Sequence, residues 1–312
     1  MNSLGDRAIL VAIDDGEVRH VALEFAAGQA LAEGVDLHLV HVVHPLTKAF
    51  GTSRRGSGEV QEATSAATEL LEEASTLARG LTGGHIRVAT SVLEGIPLDV
   101  LLRAANESDR IVLQRRHLSA LDNLINGPVV AGLSARAEVP VLVVPETTSG
   151  WSEPGRRRVM VAVKQWQRDA ELLDHAFHTA ATMAASLQVL SVVPPPHHGG
   201  HRHVADRVSA QLLHLREEVQ DRRARYPEVD VDAVVRTGKP ALALLEASTD
   251  IDMMLISRPF THLRANALGT LSRALIREAV CTVEVVPAPA RVAIPGGGQG
   301  PRHVDADAWG PI

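Results

Sequence analysis

The sequence is poor in cysteine and in aromatic residues. Its 312 residues include one cysteine, Cys281, and only 3% Phe, Trp and Tyr together. One cysteine can form neither an intrachain disulfide nor a thiolate zinc site, so we interpret Cys281 as a small buried hydrophobe in a reducing compartment. So few aromatic rings do not build the stacking surfaces that bind single-stranded nucleic acid. A disulfide framework and a single-strand binder are both disfavoured.

The sequence also lacks an excess of positive charge and long apolar runs. It carries 31 Lys and Arg against 37 Asp and Glu, a net charge of −6, which gives no general attraction to nucleic acid or to an acidic membrane surface. The apolar run from Val139 to Val144, broken by Pro140, is far shorter than the roughly 18 to 20 residues that cross a bilayer. The first residues lack the pattern of a signal peptide. We expect a cytoplasmic protein with no nucleic-acid or membrane partner.

The chain contains an internal duplication. Residues 9–14 match residues 159–164, and residues 37–43 match residues 187–193, both at an offset of about 150 residues. Towards the end of each half the offset falls to about 142, which small changes in loop length explain. The later matches are Gly95-Ile-Pro97 with Gly238-Lys-Pro240, and Gly127 followed by residues 141–145 with Gly269 followed by residues 283–287.

The duplication and the composition divide the chain into four segments. We expect a first domain over residues 1–147, a linker over 148–155 that is rich in Ser, Gly and Pro, and a second domain over 156–288. Residues 289–312 are rich in Gly and Pro, a composition that does not bury enough apolar surface to become ordered. We expect a disordered tail there.

Each half alternates short β-branched runs with helical patterns. Apolar residues recur at three- and four-residue steps between Val60 and Leu81, and again between Val204 and Val219, which predicts one long amphipathic helix in each half. Pro97 and Pro240 precede further periodic runs, where a missing N–H costs a helix nothing. The sequence predicts an α/β fold with two doubly wound, five-stranded parallel sheets.

The final strands of the two halves are apolar and would lie at sheet edges, which proteins normally pair or cover. They run from Val141 to Val144 and from Val283 to Val286. They can pair with each other, which gives a pseudo-two-fold monomer, or with a second chain, which gives a homodimer. The sequence does not decide between these two arrangements.

Ligands of doubly wound sheets bind outside the carboxyl ends of the strands, where the strand order reverses. That rule selects the turn after the first strand, which contains Asp14 or Lys164, and the turn after the fourth strand, which leads to Gly127 or Gly269. With the Gly-x-Pro segments and the closing Val-rich strands, these features resemble the universal stress protein family, as a tandem pair over roughly residues 5–147 and 156–288. The resemblance implies a Rossmann-like fold, similar to the adenine-nucleotide alpha hydrolases.

The resemblance also implies where ATP would bind. Members that bind ATP use a Gly-x2-Gly-x9-Gly-Ser/Thr loop after the fourth strand, in which glycine amides and a helix N-terminus hold the phosphates. In the first half Gln114 and His117 stand at the first two glycine positions, Gly127 is kept, and Pro128 replaces the hydroxyl residue.

The second half departs from the ATP-binding pattern in the opposite way. It keeps the closing Gly269-Thr270, whereas Lys164 replaces the aspartate that the first half retains as Asp14. The first two glycines are absent in either alignment of the loop, which places Ile256 and Pro259, or Ser257 and Phe260, at these positions.

Two interpretations of each degenerate site remain open. Lys164, Arg258 and Thr270 hold an anionic group at the second crevice, or Lys164 is simply solvated. At the first crevice, Asp14 with the run Arg115-Arg116-His117 forms a rearranged nucleotide pocket, or these residues form a surface loop.

Other functional motifs are weak or absent. The His-rich run at residues 197–203 lacks the preorganisation that a fixed metal site needs, so we expect no resident metal. The sequence contains no nucleophile elbow and no Walker-type phosphate loop, and we expect no catalysis. The resemblance implies a non-catalytic role in stress adaptation or dormancy, exercised on an unknown protein partner. The alternative is a protein that binds ATP or a related adenine nucleotide and hydrolyses it slowly or not at all.

Overall fold

The computed structural model describes residues 7–14, 20–44, 57–115, 123–148, 153, 155–164, 169–195, 201–258 and 268–287. The predicted tail, Arg116, His117, and linker residues 149–152 and 154 lie outside the described residues.

Ten strands and eight α-helices alternate along the described part. The first half contains β1 (Ala8–Ala12), α1 (Val21–Glu33), β2 (Asp36–Val43), α2 (Ser57–Thr82), β3 (Val88–Glu94), α3 (Pro97–Asn106), β4 (Arg110–Arg115), α4 (Asn123–Arg136) and β5 (Val141–Pro145). The second half contains β6 (Arg158–Ala162), α5 (Ala170–Thr182), β7 (Ser186–Val193), α6 (His201–Arg223), β8 (Val231–Thr237), α7 (Pro240–Ala247), β9 (Met253–Ser257), α8 (Thr270–Glu278) and β10 (Thr282–Val286), with a short 3-10 helix at Ser248–Asp250.

The strands form one sheet in the order β3-β2-β1-β4-β5-β10-β9-β6-β7-β8. Within each half all neighbouring strands are parallel, and the order reverses between the first and fourth strands. This arrangement confirms the predicted α/β class and its two doubly wound repeats. The sheet is continuous between the halves through β5 and β10, which are antiparallel.

The alternating side chains of the strands bury two apolar layers, one on each face of the sheet. On one face α1, α2, α5 and α6 cover the strands, with Phe25 of α1 and Phe177 of α5 fully buried. On the other face α3, α4, α7 and α8 cover the strands, with Leu133 of α4 and Leu275 of α8 fully buried. The single cysteine, Cys281, lies in this second layer, where burial raises the pKa of its thiol to about 12. Cys281 is therefore an unreactive core thiol.

The two Gly-x-Pro segments begin helices, as predicted. Pro97 and Pro240 are the first residues of α3 and α7, where the absent N–H removes no helical hydrogen bond. Gly95 and Gly238 precede them with φ angles of 140° and 149°, a conformation that residues with a Cβ rarely adopt. Glycine and proline together therefore fix where the third helix of each half starts.

The fourth helix of the first half begins earlier than the motif suggests. The resemblance places Gly127 and Pro128 at a helix N-terminus, but α4 is already helical at Asn123, so both residues lie inside it. Pro128 removes one backbone hydrogen bond from the helix, and no N-terminal donors remain at Gly127. In the second half Gly269 is the N-cap of α8 and Thr270 its first residue, as expected.

The register of β5 and β10 defines a pseudo-two-fold axis. Val283 pairs with Val143, Glu284 with Leu142, and Val285 with Val141. Exchanging the two halves interchanges the outer pairs and maps the middle pair onto itself. The Leu142–Glu284 pair therefore lies on the axis.

Candidate functional site

Each half has a crevice at the carboxyl ends of its first and fourth strands. In the first half β1 and β4 are neighbours, and Asp14 follows β1 while Gln114 lies near the end of β4. In the second half β6 and β9 are neighbours, and Lys164 follows β6 while Ser257 ends β9. The structure thus places Asp14 and Gln114 at one switch point and Lys164 at the other.

The first crevice is capped by a glutamine side chain. Gln114 Oε1 accepts a hydrogen bond from the backbone N–H of Ala22, in the first turn of α1, at 3.1 Å. Free N–H groups at a helix N-terminus are the donors that a phosphate would use. Gln114, which stands at the first lost glycine position, therefore already accepts a hydrogen bond from one of these donors.

The second crevice holds a buried carboxylate. Asp169 precedes α5 and is 5% exposed. Its Oδ2 accepts the backbone N–H of Lys164 at 2.9 Å, and its Oδ1 accepts the hydroxyl of Ser257 at 3.2 Å. The side chain therefore ties the ends of β6 and β9 together and places a negative charge at the start of α5, where helix N–H groups favour it. An anionic ligand would meet this charge.

Arg115 and Arg258 occupy equivalent places at the ends of β4 and β9, and each reaches into the other half. Arg115 donates to the carbonyls of Ile276 and Ala279 at 2.8 and 2.7 Å. Arg258 donates to the carbonyls of Ala135 and Ala137 at 3.1 and 2.7 Å. We call these two contacts the arginine clamps. Burial lowers the pKa of both guanidinium groups, although neighbouring acidic groups oppose the shift.

The arginine clamps use two residues that the sequence analysis placed in candidate anion sites. Arg258 Nη1 is directed to α4 of the other half, so the structure does not bring it together with Lys164 and Thr270 as an anion site. Arg115 is likewise directed to α8, and its two neighbours in the proposed first pocket lie outside the described residues. A guanidinium between two helix carbonyls satisfies acceptors that helix ends leave open.

Gly127 and Gly269, the two glycines that this chain retains from the family's loop pattern, differ in their surroundings. Gly127 is exposed, and an added Cβ there would meet no atom of the described structure within 4 Å. Gly269 is half-buried, and Thr270 is exposed at the N-terminus of α8. Gly269-Thr270 thus retains the helix-start geometry of a phosphate loop, whereas Gly127 does not.

Sequence reasoning missed Asp169 and Glu284. Asp169 stands directly before the apolar-periodic run of α5, the position at which aspartate is favoured as an N-cap, and this signal was available. Glu284 interrupts an apolar strand where the first half has Leu142, and the repeat alignment displays that difference. Neither signal reveals which groups the carboxylates contact.

The described residues contain neither a cluster of metal ligands nor a membrane-spanning helix. That part of the chain contains no cluster of three or more His, Cys, Asp or Glu side chains able to hold a metal ion. Residues 197–200 of the His-rich run lie outside it, and α6 begins at His201. None of the described helices combines the length and the apolar character of a membrane span.

The two halves that contain these crevices match the model of one protein family. The model of the universal stress protein family matches residues 7–145 and again residues 155–287. The chain belongs to the universal stress protein family. A universal stress protein of Mycobacterium tuberculosis strain H37Rv is 26% identical, with 92% of this chain and 97% of the relative covered. One of Mycolicibacterium smegmatis is 23% identical, with 92% and 99% covered.

Solved structures of universal stress proteins share the tandem fold. One from Archaeoglobus fulgidus superposes with a TM-score of 0.67 at 20% identity, with 91% of this chain and 97% of that chain covered. A putative one from Pseudomonas aeruginosa gives 0.61 at 20% identity, with 90% and 93% covered. These similarities show that this chain shares its fold with both structures over nearly its whole length.

Proposed function

We propose that this tandem universal stress protein is a non-catalytic, cytoplasmic protein of stress adaptation or dormancy that acts through protein partners rather than through a bound nucleotide. The observation that carries this proposal is the Asp169 carboxylate across the second crevice. It accepts hydrogen bonds from Lys164 and Ser257 at 2.9 and 3.2 Å, so the protein's own acid occupies the switch point. Gln114 plays a comparable part at the first crevice.

The charge of the Asp169 carboxylate also opposes the binding of a nucleotide. A phosphate between the ends of β6 and β9 would lie beside the Asp169 carboxylate, which is almost fully buried, and like charges repel strongly where water is excluded. Arg115, at the end of β4, and Arg258, directly after β9, donate to helix ends of the opposite half. Neither of these two arginines is therefore directed into a crevice, where it would compensate for the lost glycine amides.

A second candidate function is the binding of ATP or a related adenine nucleotide, with slow or no hydrolysis. The observation in its favour is Gly269 as the N-cap of α8 with Thr270 as its first residue, because this pair presents N–H and O–H donors at a helix N-terminus. Asp14 in the other half is the second retained position of the family pattern.

Released ligand and calorimetry separate the two candidates. Protein purified without added nucleotide is denatured, the released small molecules are chromatographed, and fresh protein is titrated with Mg-ATP. We expect no nucleotide and no heat. Bound adenine nucleotide, or a Kd below about 100 µM, corresponding to roughly −5.5 kcal/mol, would support the second candidate instead.

Variants at Asp169 identify the cause of a negative result. Asp169→Asn keeps a side-chain acceptor and removes the charge, so we expect it to bind Mg-ATP more tightly than the wild type does. Asp232→Asn is the matched control, since Asp232 is an exposed aspartate on β8, at the far edge of the sheet. Equal affinities for all three proteins would show that the carboxylate is not what keeps nucleotide out. Phosphate release is measured alongside, and we expect none above the rate without protein.

A further inference from the structure

A charged cluster is buried beside the pseudo-two-fold axis. Arg110 Nη2 of β4 donates to Glu33 Oε2 of α1 at 2.8 Å, and each side chain is 7% exposed. His175 Nε2 of α5 lies 3.0 Å from Glu284 Oε1 of β10, and Glu284 has no exposed surface. Arg110 and Glu284 belong to different halves, and Arg110 acts electrostatically on both His175 and Glu284. We call these four residues the axial cluster.

The axial cluster is not satisfied by its own contacts. Glu284 Oε2 and Arg110 Nε are buried and have no hydrogen-bond partner among the described residues. A fully buried carboxylate is costly unless cations lie close to it. The attraction of Arg110 across the junction is therefore part of what makes burial of Glu284 tolerable.

The axial cluster breaks the symmetry of the repeats. Glu284 is equivalent to Leu142, and His175 is equivalent to Phe25. Arg110 pairs with Ile9 of β1, and its counterpart Met253 pairs with the equivalent residue of β6. At each of these three positions, one half thus has an ionisable residue and the other half an apolar one.

Two other sets of contacts across the junction do preserve the symmetry. The valine pairs of β5 and β10 occur twice, and so do the arginine clamps. Contacts of this kind would form equally well between two first halves, two second halves or one of each. They strengthen pairing but do not select the partner.

We propose that the axial cluster makes pairing selective, so that the β10 edge of a second half accepts a first half and rejects another second half. Because residue 284 lies on the axis, pairing β10 with β10 would set two Glu284 side chains directly opposite each other. Directly opposed residues of antiparallel strands have Cβ atoms about 4.5 to 5.5 Å apart, and like charges there are destabilising. Met253 would stand where Arg110 now stands, and each carboxylate would have only its own His175. Two first halves would instead oppose Leu142 to Leu142, which no charge forbids.

The test uses the full chain and leaves either the β5 edge or the β10 edge unpaired. Val143→Lys puts a charge into β5 and leaves β10 unpaired, whereas Val285→Lys does the reverse. Val143→Lys/Glu284→Leu is the matched variant that exposes β10 without its charge. Sedimentation equilibrium then reports the mass of each protein, and circular dichroism reports its helix content.

We expect Val285→Lys and Val143→Lys/Glu284→Leu to reach twice the mass of one chain, and Val143→Lys to remain at the mass of one chain. Dimers of Val143→Lys as strong as those of Val285→Lys would overturn the proposal. A monomeric Val143→Lys/Glu284→Leu beside a dimeric Val285→Lys would overturn it too, because Glu284 would then not be the obstacle.

A second series tests the same repulsion where the edge variants fail to fold. Leu142→Glu places a second carboxylate on the axis of the intact chain, and Leu142→Gln is its neutral control. We expect Leu142→Glu to melt more than about 4 °C below Leu142→Gln at neutral pH. The gap should close when Glu284→Gln is added to both. Equal melting temperatures at neutral pH would refute the proposed repulsion.

Discussion

At the residue scale, burying a carboxylate completely is unfavourable unless a cation lies beside it, and Glu284 has His175 at 3.0 Å. Burial by itself would lower the pKa of His175, but the Glu284 carboxylate outweighs burial and raises it. Burial would raise the pKa of Glu284, but His175 and then Arg110 outweigh it and lower it. Glu33 also favours the charged histidine. Both shifts therefore favour the charged forms of the pair in the folded protein.

The two opposite shifts give a pH window for stability. The raised pKa of His175 contributes stability that is complete below its unfolded value of about 6.5 and is lost as the pH rises through the folded pKa. The lowered pKa of Glu284 contributes stability that is present above its unfolded value of about 4.3 and is lost as the pH falls through the folded pKa. Stability from this pair is greatest between these two unfolded values.

We predict that the free energy of unfolding decreases as the pH rises from about 6 through the folded pKa of His175. The variant His175→Phe/Glu284→Leu carries the residues of the first half at both places and should lose this dependence. Urea unfolding at a series of pH values measures both proteins. The same slope in the variant as in the wild type would mean that other groups cause it.

Gln114 offers a second prediction at the residue scale. Its Oε1 is an acceptor for the N–H of Ala22 in the first turn of α1, so Gln114→Ala should lower the free energy of unfolding by about 0.5 to 2 kcal/mol. Gln114→Glu keeps an acceptor and adds a charge that a helix N-terminus favours, so it should be close to the wild type. Chemical denaturation measures all three, and an equal loss in both variants would show that packing, not the hydrogen bond, matters.

At the element scale, the arginine clamps join helix ends of one half to strand ends of the other. The last carbonyls of a helix lack partners within the helix, and each guanidinium satisfies two carbonyls at the end of α4 or α8. Because the clamped helices and the strands belong to opposite halves, the contacts stabilise the junction rather than either half alone.

Removing a clamp should weaken this junction. We predict that Arg115→Met and Arg258→Met each lower the free energy of unfolding by about 1 to 3 kcal/mol, the range for hydrogen bonds of charged donors. Arg277→Met is the control, because Arg277 is an exposed residue of α8 that pairs with its neighbour Glu278, and it should change stability by less than about 0.5 kcal/mol. Costs equal to that of the control would show that the clamps contribute nothing measurable.

The sequence predicted elements more reliably than contacts. Pro97 and Pro240 located two helix starts because proline acts locally, through its missing N–H and fixed φ. The contact between Arg115 and Ile276 joins residues 161 positions apart, and no local pattern encodes it. Arg258 had the features of an anion ligand by residue type and place, but the helix ends that use it belong to the other repeat. The lost glycines of the motif, and Gln114 at one of their positions, were visible in the sequence, whereas the hydrogen bonds that Gln114 and Asp169 make were not.

At the scale of the whole molecule, the two repeats share one hydrogen-bonded sheet. The strands that would be exposed edges in a single repeat, β5 and β10, are paired with each other. The outer edges are β3 and β8, and β8 carries the charged residues Asp232 and Arg236. Charges on an edge strand oppose further pairing.

We predict that the wild-type chain sediments as a monomer and unfolds in one cooperative transition. Circular dichroism and intrinsic fluorescence should give the same urea midpoint, because the junction couples the two cores. The variant Val143→Lys, which opens the junction, should separate the two halves into distinct transitions. Two transitions in the wild type would show that the repeats unfold independently despite their common sheet.

The antiparallel junction makes the order of the two repeats along the chain interchangeable. Since β6 runs opposite to β5, the carboxyl end of β5 and the amino end of β6 lie at the same edge of the sheet, three strand spacings or about 14 Å apart. The pseudo-two-fold axis gives the same separation between the end of β10 and the start of β1. A circular permutant that opens the chain between residues 150 and 151, and joins residue 287 to residue 7 through a segment as long as the native linker, should therefore fold to the same ten-stranded sheet.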